Sequence, residues 1–179
     1  MKQVQLWSAL AALAGAQLAC GYSLAGKGDF LPAYIKVIGI PTFQNRSDQV
    51  EIEEIFTQKV VEEFNSRGKY VVRPDAVGVD AVLLGTVLAF TVAPAVLESG
   101  EDDQAANQAA RYHVVVRAQV EFQDLLENKT IWSDKSFAFR EEYDVGENPD
   151  EFFDQSGLAV ERLAEEFAKT LVSRILEAF

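Results

Sequence analysis

Between Arg111 and Gln123 the chain alternates strictly. Tyr112, Val114, Val116, Ala118, Val120 and Phe122 point one way, and His113, Val115, Arg117, Gln119, Glu121 and Gln123 point the other. A period of two marks a strand with one buried face. A turn around Glu127 to Thr130 leads back through "IWSDKSFAFREEY", which predicts a hairpin of two long strands with one polar face. That face is either wet or docked on a polar partner surface. Upstream, Val79 to Val92 reads as a long strand whose even positions, Val82, Leu84, Leu88, Phe90 and Val92, are bulky, while its odd positions include Gly85 and Ala89. The spacing places one face against a thick core and the other against something flatter or closer. "IKVIGIPTF" (Ile35 to Phe43) is β-branched and apolar on both faces and predicts a buried strand, stopped by the turn residues of "QNRSD".

Two segments carry the helical period instead. Asp48 stands three residues before Glu51, a capping-box spacing, and Ile52, Phe56, Val60 and Phe64 then follow at i, i+4 steps with Ile55 beside them. Arg67 suits the negative end of that helix and Gly68 a left-handed cap. A short strand, Lys69 to Arg73, comes next. Near the C-terminus Asn148 can cap a helix, with Pro149 at its first position and Glu151 completing the box. Val160, Leu163, Phe167, Leu171 and Ile175 form its apolar stripe, with Glu161, Arg162, Glu165, Glu166, Lys169 and Arg174 outside. The order of elements predicts an α/β (α+β) fold, in which two helices pack on one face of a mixed four- to five-stranded β-sheet that ends in a long hairpin and a final helix.

Before these elements, Leu6 to Ala19 is an apolar run of 14 residues behind a single cation, Lys2, and it closes in small residues before Cys20. It is too short to span a bilayer, which takes about 20 apolar residues, and reads as a secretory signal. Cys20 is the one cysteine of the chain. A lone thiol in an oxidising compartment has no disulfide partner, so the reading is a lipoprotein signal, residues 1–19, cleaved before a cysteine that takes a diacylglycerol and an N-acyl chain such as palmitate. Gln17 stands where such signals commonly carry leucine. Residues 20–34 then form a lipidated tether and residues 35–179 one domain. The 14 residues from Gly21 to Tyr34 reach roughly 50 Å when fully extended.

The chain of 179 residues has 49% hydrophobic residues and 12 Phe, ample for a core without disulfide or metal staples. Its formal charge is −12, and removal of residues 1–19, which hold one cation and no acid, makes it −13. Such a balance argues against nucleic acid, whose phosphates need a basic face, and any anionic ligand must meet a local cluster of cations. Catalytic constellations are missing as well. His113 is the one histidine and sits on the polar face of a strand, no Cys/His cluster suits zinc, and "GKGD" (Gly26 to Asp29) is too short for a phosphate loop. Pro94 to Ala110 has no periodicity and reads as a mobile loop, long for a compact domain and so a functional candidate; within it the acidic run Glu98 to Asp103 lacks the ligand spacing of a calcium loop and reads as solvated. No cofactor or metal is expected, and the chain reads as an anchored binding or assembly protein rather than an enzyme.

Three stretches together resemble one family: "CGYSLAG", "IKVIGIPTFQNRSDQVEIEEIFTQKVVEEFNSRGKY" and "VDAVLLGTVLAFTV". In the order cysteine, Gly-Tyr, Ile-Pro-x-Phe-x-Asn, helix and "DAVLLG", they look like the LptE family of outer-membrane lipoproteins. The resemblance implies a one-to-one complex with an LptD-like outer-membrane β-barrel, in which the lipoprotein plugs the lumen, helps the barrel assemble and contacts lipopolysaccharide on its way to the outer leaflet. It places the chain at the outer membrane, held from the periplasmic side by its acyl anchor. A polar strand face suits a barrel lumen, which is itself polar. Pattern alone nominates Arg111, Arg117, Lys129, Lys135 and Arg140 as lipopolysaccharide contacts. The alternative is a periplasm-facing lipoprotein that activates a peptidoglycan synthase, whose first strand also reads apolar-Pro-Phe-x-Asn. A regulator of that kind carries a long Pro- or Ser-rich linker after its cysteine, and only the short tether stands here.

Overall fold

The computed structural model describes residues 31–95, 111–144 and 149–177, with the side chains of 149–155 excepted. The readings on the signal, Cys20, the acidic loop, the Asn148 cap and the Glu151 side chain lie outside these residues. Six strands form one mixed sheet: β1 (Val37–Gly39), β2 (Gln44–Asn45), β3 (Val71–Arg73), β4 (Ala81–Pro94), β5 (Arg111–Asp124) and β6 (Lys129–Asp144). Helix α1 (Ile52–Ser66) lies between β2 and β3, and α2 (Pro149–Leu176) follows β6. The spatial order is β3-β1-β4-β5-β6, with β2 also paired to β4. Pairs among the short strands and onto β4 are parallel, whereas β4, β5 and β6 form an antiparallel meander. The expected α+β architecture is therefore present, with one strand more than the pattern suggested.

Both apolar stripes turn to the same face. Ile52, Phe56, Val60 and Phe64 of α1 are buried against Leu163, Phe167, Leu171 and Ile175 of α2 and the inward row Val114 to Phe122 of β5. Val160 lies at the margin, and Ala159, Ala164, Ala168 and Val172 join the buried stripe. Small residues there let the helix sit close to its neighbours. Phe167 is the hub, with ring centroids 4.9 Å from Phe56, 5.1 Å from Phe137 and 5.7 Å from Phe139.

Four local expectations are corrected. The run Ile35–Phe43 is not one strand. Pro41 has no N–H for a ladder, so β1 stops at Gly39 and pairing with β4 resumes only at Gln44. Asp48 does not cap α1. Glu51 is the capping residue, at φ 64° and without a side-chain bond, and Asn45 organises the entry by donating to Gln49 O at 2.6 Å and Glu53 Oε2 at 2.8 Å. The hairpin turn comes earlier than Glu127–Thr130, because Lys129 already pairs with Asp124 and Asn128 takes the left-handed conformation, φ 53°.

The fourth correction concerns β4. From Ala81 to Val87 the core cluster takes the odd positions, while on the other face Val82 is covered and Leu84 is 42% exposed. A register shift between Val87 and Ala89 then reverses the phase, and Phe90 packs against the core. One extra residue in a strand switches the face of everything beyond it. Gly85 falls in the inward row, where a Cβ would lie 2.6 Å from the buried Phe43 ring. Gly85→Ala is expected to cost about 1–3 kcal/mol through overpacking, read as a lower urea midpoint; an unchanged midpoint would show that the ring yields freely.

Candidate functional site

With both helices on one face of the sheet, the opposite face of β4, β5 and β6 carries the polar Thr86, Thr91, His113, Arg117, Gln119, Glu121, Arg140 and Glu142, with Leu84, Ala89, Val115 and Ala138 among them. Ladder geometry sets their neighbours. Arg117 stands opposite Ala138 and Val115 opposite Arg140, so the two arginines are diagonal neighbours on one surface. Lys135 sits where β6 bulges past β5, between the pairs Ala118–Phe137 and Val120–Asp134, and its charge helps hold the Glu121 carboxyl below the usual range, behind the larger contributions of hydrogen bonds from Gln123 and Thr130. Arg117 and Lys135 form no ion pair among the described residues. Arg140 pairs with Glu142 on its own strand at 3.0 Å, with both side chains about half exposed, and such a pair contributes little to stability.

The other two nominated cations are engaged elsewhere. Arg111 Nε donates to Asp144 Oδ1 at 2.7 Å, which raises the guanidinium and lowers the carboxyl. Lys129 Nζ lies 2.5 Å from Glu127 at the hairpin turn, at the far end of the β5–β6 ladder from Arg111. Structure thus gathers Arg117, Lys135 and Arg140 and separates Lys129 from them. His113 also lies on the outer face, opposite Glu142, with its Nδ1 buried and without a hydrogen-bond partner among the described residues.

Two recesses open beside this surface. One, of about 270 Å³, is lined by Pro41, Thr42, Gln44, Leu84, Gly85, Thr86, Gln119 and Glu121. It exists because the ladder between β1 and β4 is interrupted at Pro41, the one sequence signal that could have revealed it. Its lining holds an acid and no cation, so it does not suit an anion. The other, of about 380 Å³, lies among Arg111, Glu142, Tyr143, Asp144 and Arg162, where Arg162 already pairs with Glu141 at 2.9 Å. No group of three or more His, Cys, Asp or Glu able to hold a metal occurs among the described residues. None of the described helices is long and apolar enough to cross a membrane.

A domain with two helices on one sheet face and a polar face opposite has relatives among solved structures. A minor lipoprotein from Acinetobacter baumannii shares the fold at a TM-score of 0.52 and 10% identity, over 81% of this chain and 93% of that one. A protein from Chlamydia trachomatis (TM-score 0.48, 13% identity, 81% and 99% covered) and a lipoprotein from Neisseria meningitidis (0.45, 16%, 77% and 99%) are less similar. Comparison with curated proteins finds no match. The first likeness defines the class as a small α+β domain of a fold seen in a bacterial lipoprotein. A family model described as LptE, lipopolysaccharide-assembly, matches residues 35–175, and the chain belongs to that family.

Proposed function

We propose that the chain is an outer-membrane lipoprotein, anchored through acylated Cys20, that plugs and helps assemble an LptD-like β-barrel and assists lipopolysaccharide on its way to the outer leaflet. The role is non-enzymatic, and residues 35–179 act as one domain, to whose core the end of the tether adds Leu31. The observation that carries this reading is the family match over nearly the whole of that domain. Two structural features support it. The sheet leaves one polar face free of the helices, which suits a polar barrel lumen. On that face Arg117, Lys135 and Arg140 give an otherwise acidic protein a local group of cations, the condition for meeting a phosphorylated glycolipid. Arg111, Lys129 and Arg140 are weaker contacts than Arg117 and Lys135, since each must first leave a carboxylate.

The test is a mild-detergent pull-down of the tagged protein from outer membranes, with mass spectrometry of what stays bound. A stoichiometric large β-barrel is expected, and depletion of the chain should leave that barrel immature. A penicillin-binding protein in its place, with the barrel maturing normally, would sink the assembly role and favour cell-wall regulation. Labelled palmitate should enter the wild-type chain and not Cys20→Ala; its absence from both would remove the anchor.

A further inference from the structure

We infer that the tip of the β5–β6 hairpin, with Tyr34 beside it, is a membrane-contact surface that rests on the lipid bilayer into which the chain is anchored. The inference depends on the reading of Cys20 as the acylated residue.

A hairpin turn in water favours Gly, Asn, Asp and Ser. This one carries Leu125 and Leu126 in succession, 40% and 60% exposed, and Tyr34 lies against it at 38%. Isolated exposed apolar residues such as Val50 need no explanation, whereas here three gather at one end of the fold. The arrangement is rigidly held. Asp124 accepts the Tyr34 O–H at 2.6 Å and the Leu126 and Glu127 N–H groups at 2.9 Å. Leu125 N–H donates to Asp80 O at 2.9 Å, and the Asp80 carboxylate accepts the Lys36 and Val37 N–H groups at 2.8 Å. These bonds lock the turn to the point where the chain enters the domain.

That entry point selects the partner. Leu31 and Ile35 are buried in the core, so ten residues, 21–30, separate the anchored cysteine from a fixed position at this end. Fully extended they span about 35 Å, so the hairpin tip belongs to the end of the molecule that an anchor in the bilayer holds closest. The charge at this end is close to balanced, with Asp80, Asp124 and Glu127 against Lys36 and Lys129: Asp124 is buried among its donors, Glu127 is paired with Lys129, and Lys36 has no ion pair among the described residues. Leucines to enter the acyl boundary, a tyrosine at headgroup depth and Lys36 to meet a phosphate form the composition of an interfacial contact.

The test uses the full acylated chain in vesicles of phosphatidylethanolamine and phosphatidylglycerol. An environment-sensitive fluorophore is placed on Leu126→Cys, on Leu125→Cys as a second tip position, and on the exposed Val50→Cys, just before α1, as the reference; acylation leaves Cys20 unlabelled. Both tip labels should shift to the blue and be quenched several-fold more strongly than the Val50 label by lipids with brominated acyl chains. If the tip labels stay as wet as the reference, or all three are quenched alike, the contact surface is wrong. Intact mass of the same samples separates the two ideas: acylated Cys20 with a wet tip overturns this inference alone, and unacylated Cys20 overturns the anchor and the inference with it.

Discussion

Phe167→Ala is expected to lower the unfolding free energy by about 3–5 kcal/mol, the range for removing a buried aromatic ring and leaving a cavity. For a domain whose whole stability is on the order of 5–15 kcal/mol, that is a large share. The reason lies in what the ring joins. It is fully buried and sets its edge or face against Phe56 of α1 and against Phe137 and Phe139 of β6, so three elements distant in sequence lose their common contact. Edge-to-face pairs contribute about 0.5–1.5 kcal/mol each beyond area burial. Urea unfolding of the mature chain reads the loss, and Phe167→Leu should recover a substantial part of it. A loss below about 1 kcal/mol would mean that the site collapses around the vacancy and that the hairpin is held to the helices by other contacts.

Asp124→Ala is the second large effect, about 3 kcal/mol at neutral pH, because it removes a carboxylate that satisfies three donors in a place without solvent-exposed surface. Burial pushes the Asp124 carboxyl up, but the bonds from Tyr34, Glu127 and Leu126, with the charge of Lys129, outweigh it and hold the group below its ordinary value of 3.8. The same bond raises the Tyr34 hydroxyl. The sign follows from linkage. A carboxyl with a folded-state value below the unfolded one stabilises the fold fully above about pH 4–5 and loses that contribution as pH falls through the folded value. The wild-type advantage over Asp124→Ala should therefore be constant from pH 5 to 7, on the order of the stated loss, and narrow below pH 4. Tyr34→Phe should show a smaller loss over the same window. An advantage that persists undiminished at pH 2 would mean that the carboxylate charge contributes nothing.

Legibility in the sequence followed the range of the interaction that decides each feature. The alternation of β5 and the stripes of α1 and α2 are legible along the chain, since a face that must be buried writes its period into neighbouring residues. The β4 pattern misled because its bulky even row divides between two faces at the Val87–Ala89 shift; the bulge depends on pairing with β5, which no window along β4 contains. The apolar run around Pro41 looked continuous, although the proline itself announced the break. In the Ile-Pro-x-Phe-x-Asn motif, Pro41 ends β1, Phe43 covers Gly85 and Asn45 clamps the start of α1, roles that the spacing alone does not disclose.

Sequence by itself determined the class of the fold, the family and the elements that carry the core, because hydrophobic periodicity and motif order are local properties of the chain. Tertiary structure alone decided which cations share a surface. Arg117, Lys135 and Arg140 meet through the register of two antiparallel strands, and Arg111 and Lys129 are drawn to Asp144 and Glu127. It also decided that the point where the tether enters and the hairpin tip are one end of the molecule, since Tyr34 and Asp124 are 90 residues apart in the chain and 2.6 Å apart in the fold. Contacts of that separation leave no period to read; they form only when the sheet has closed.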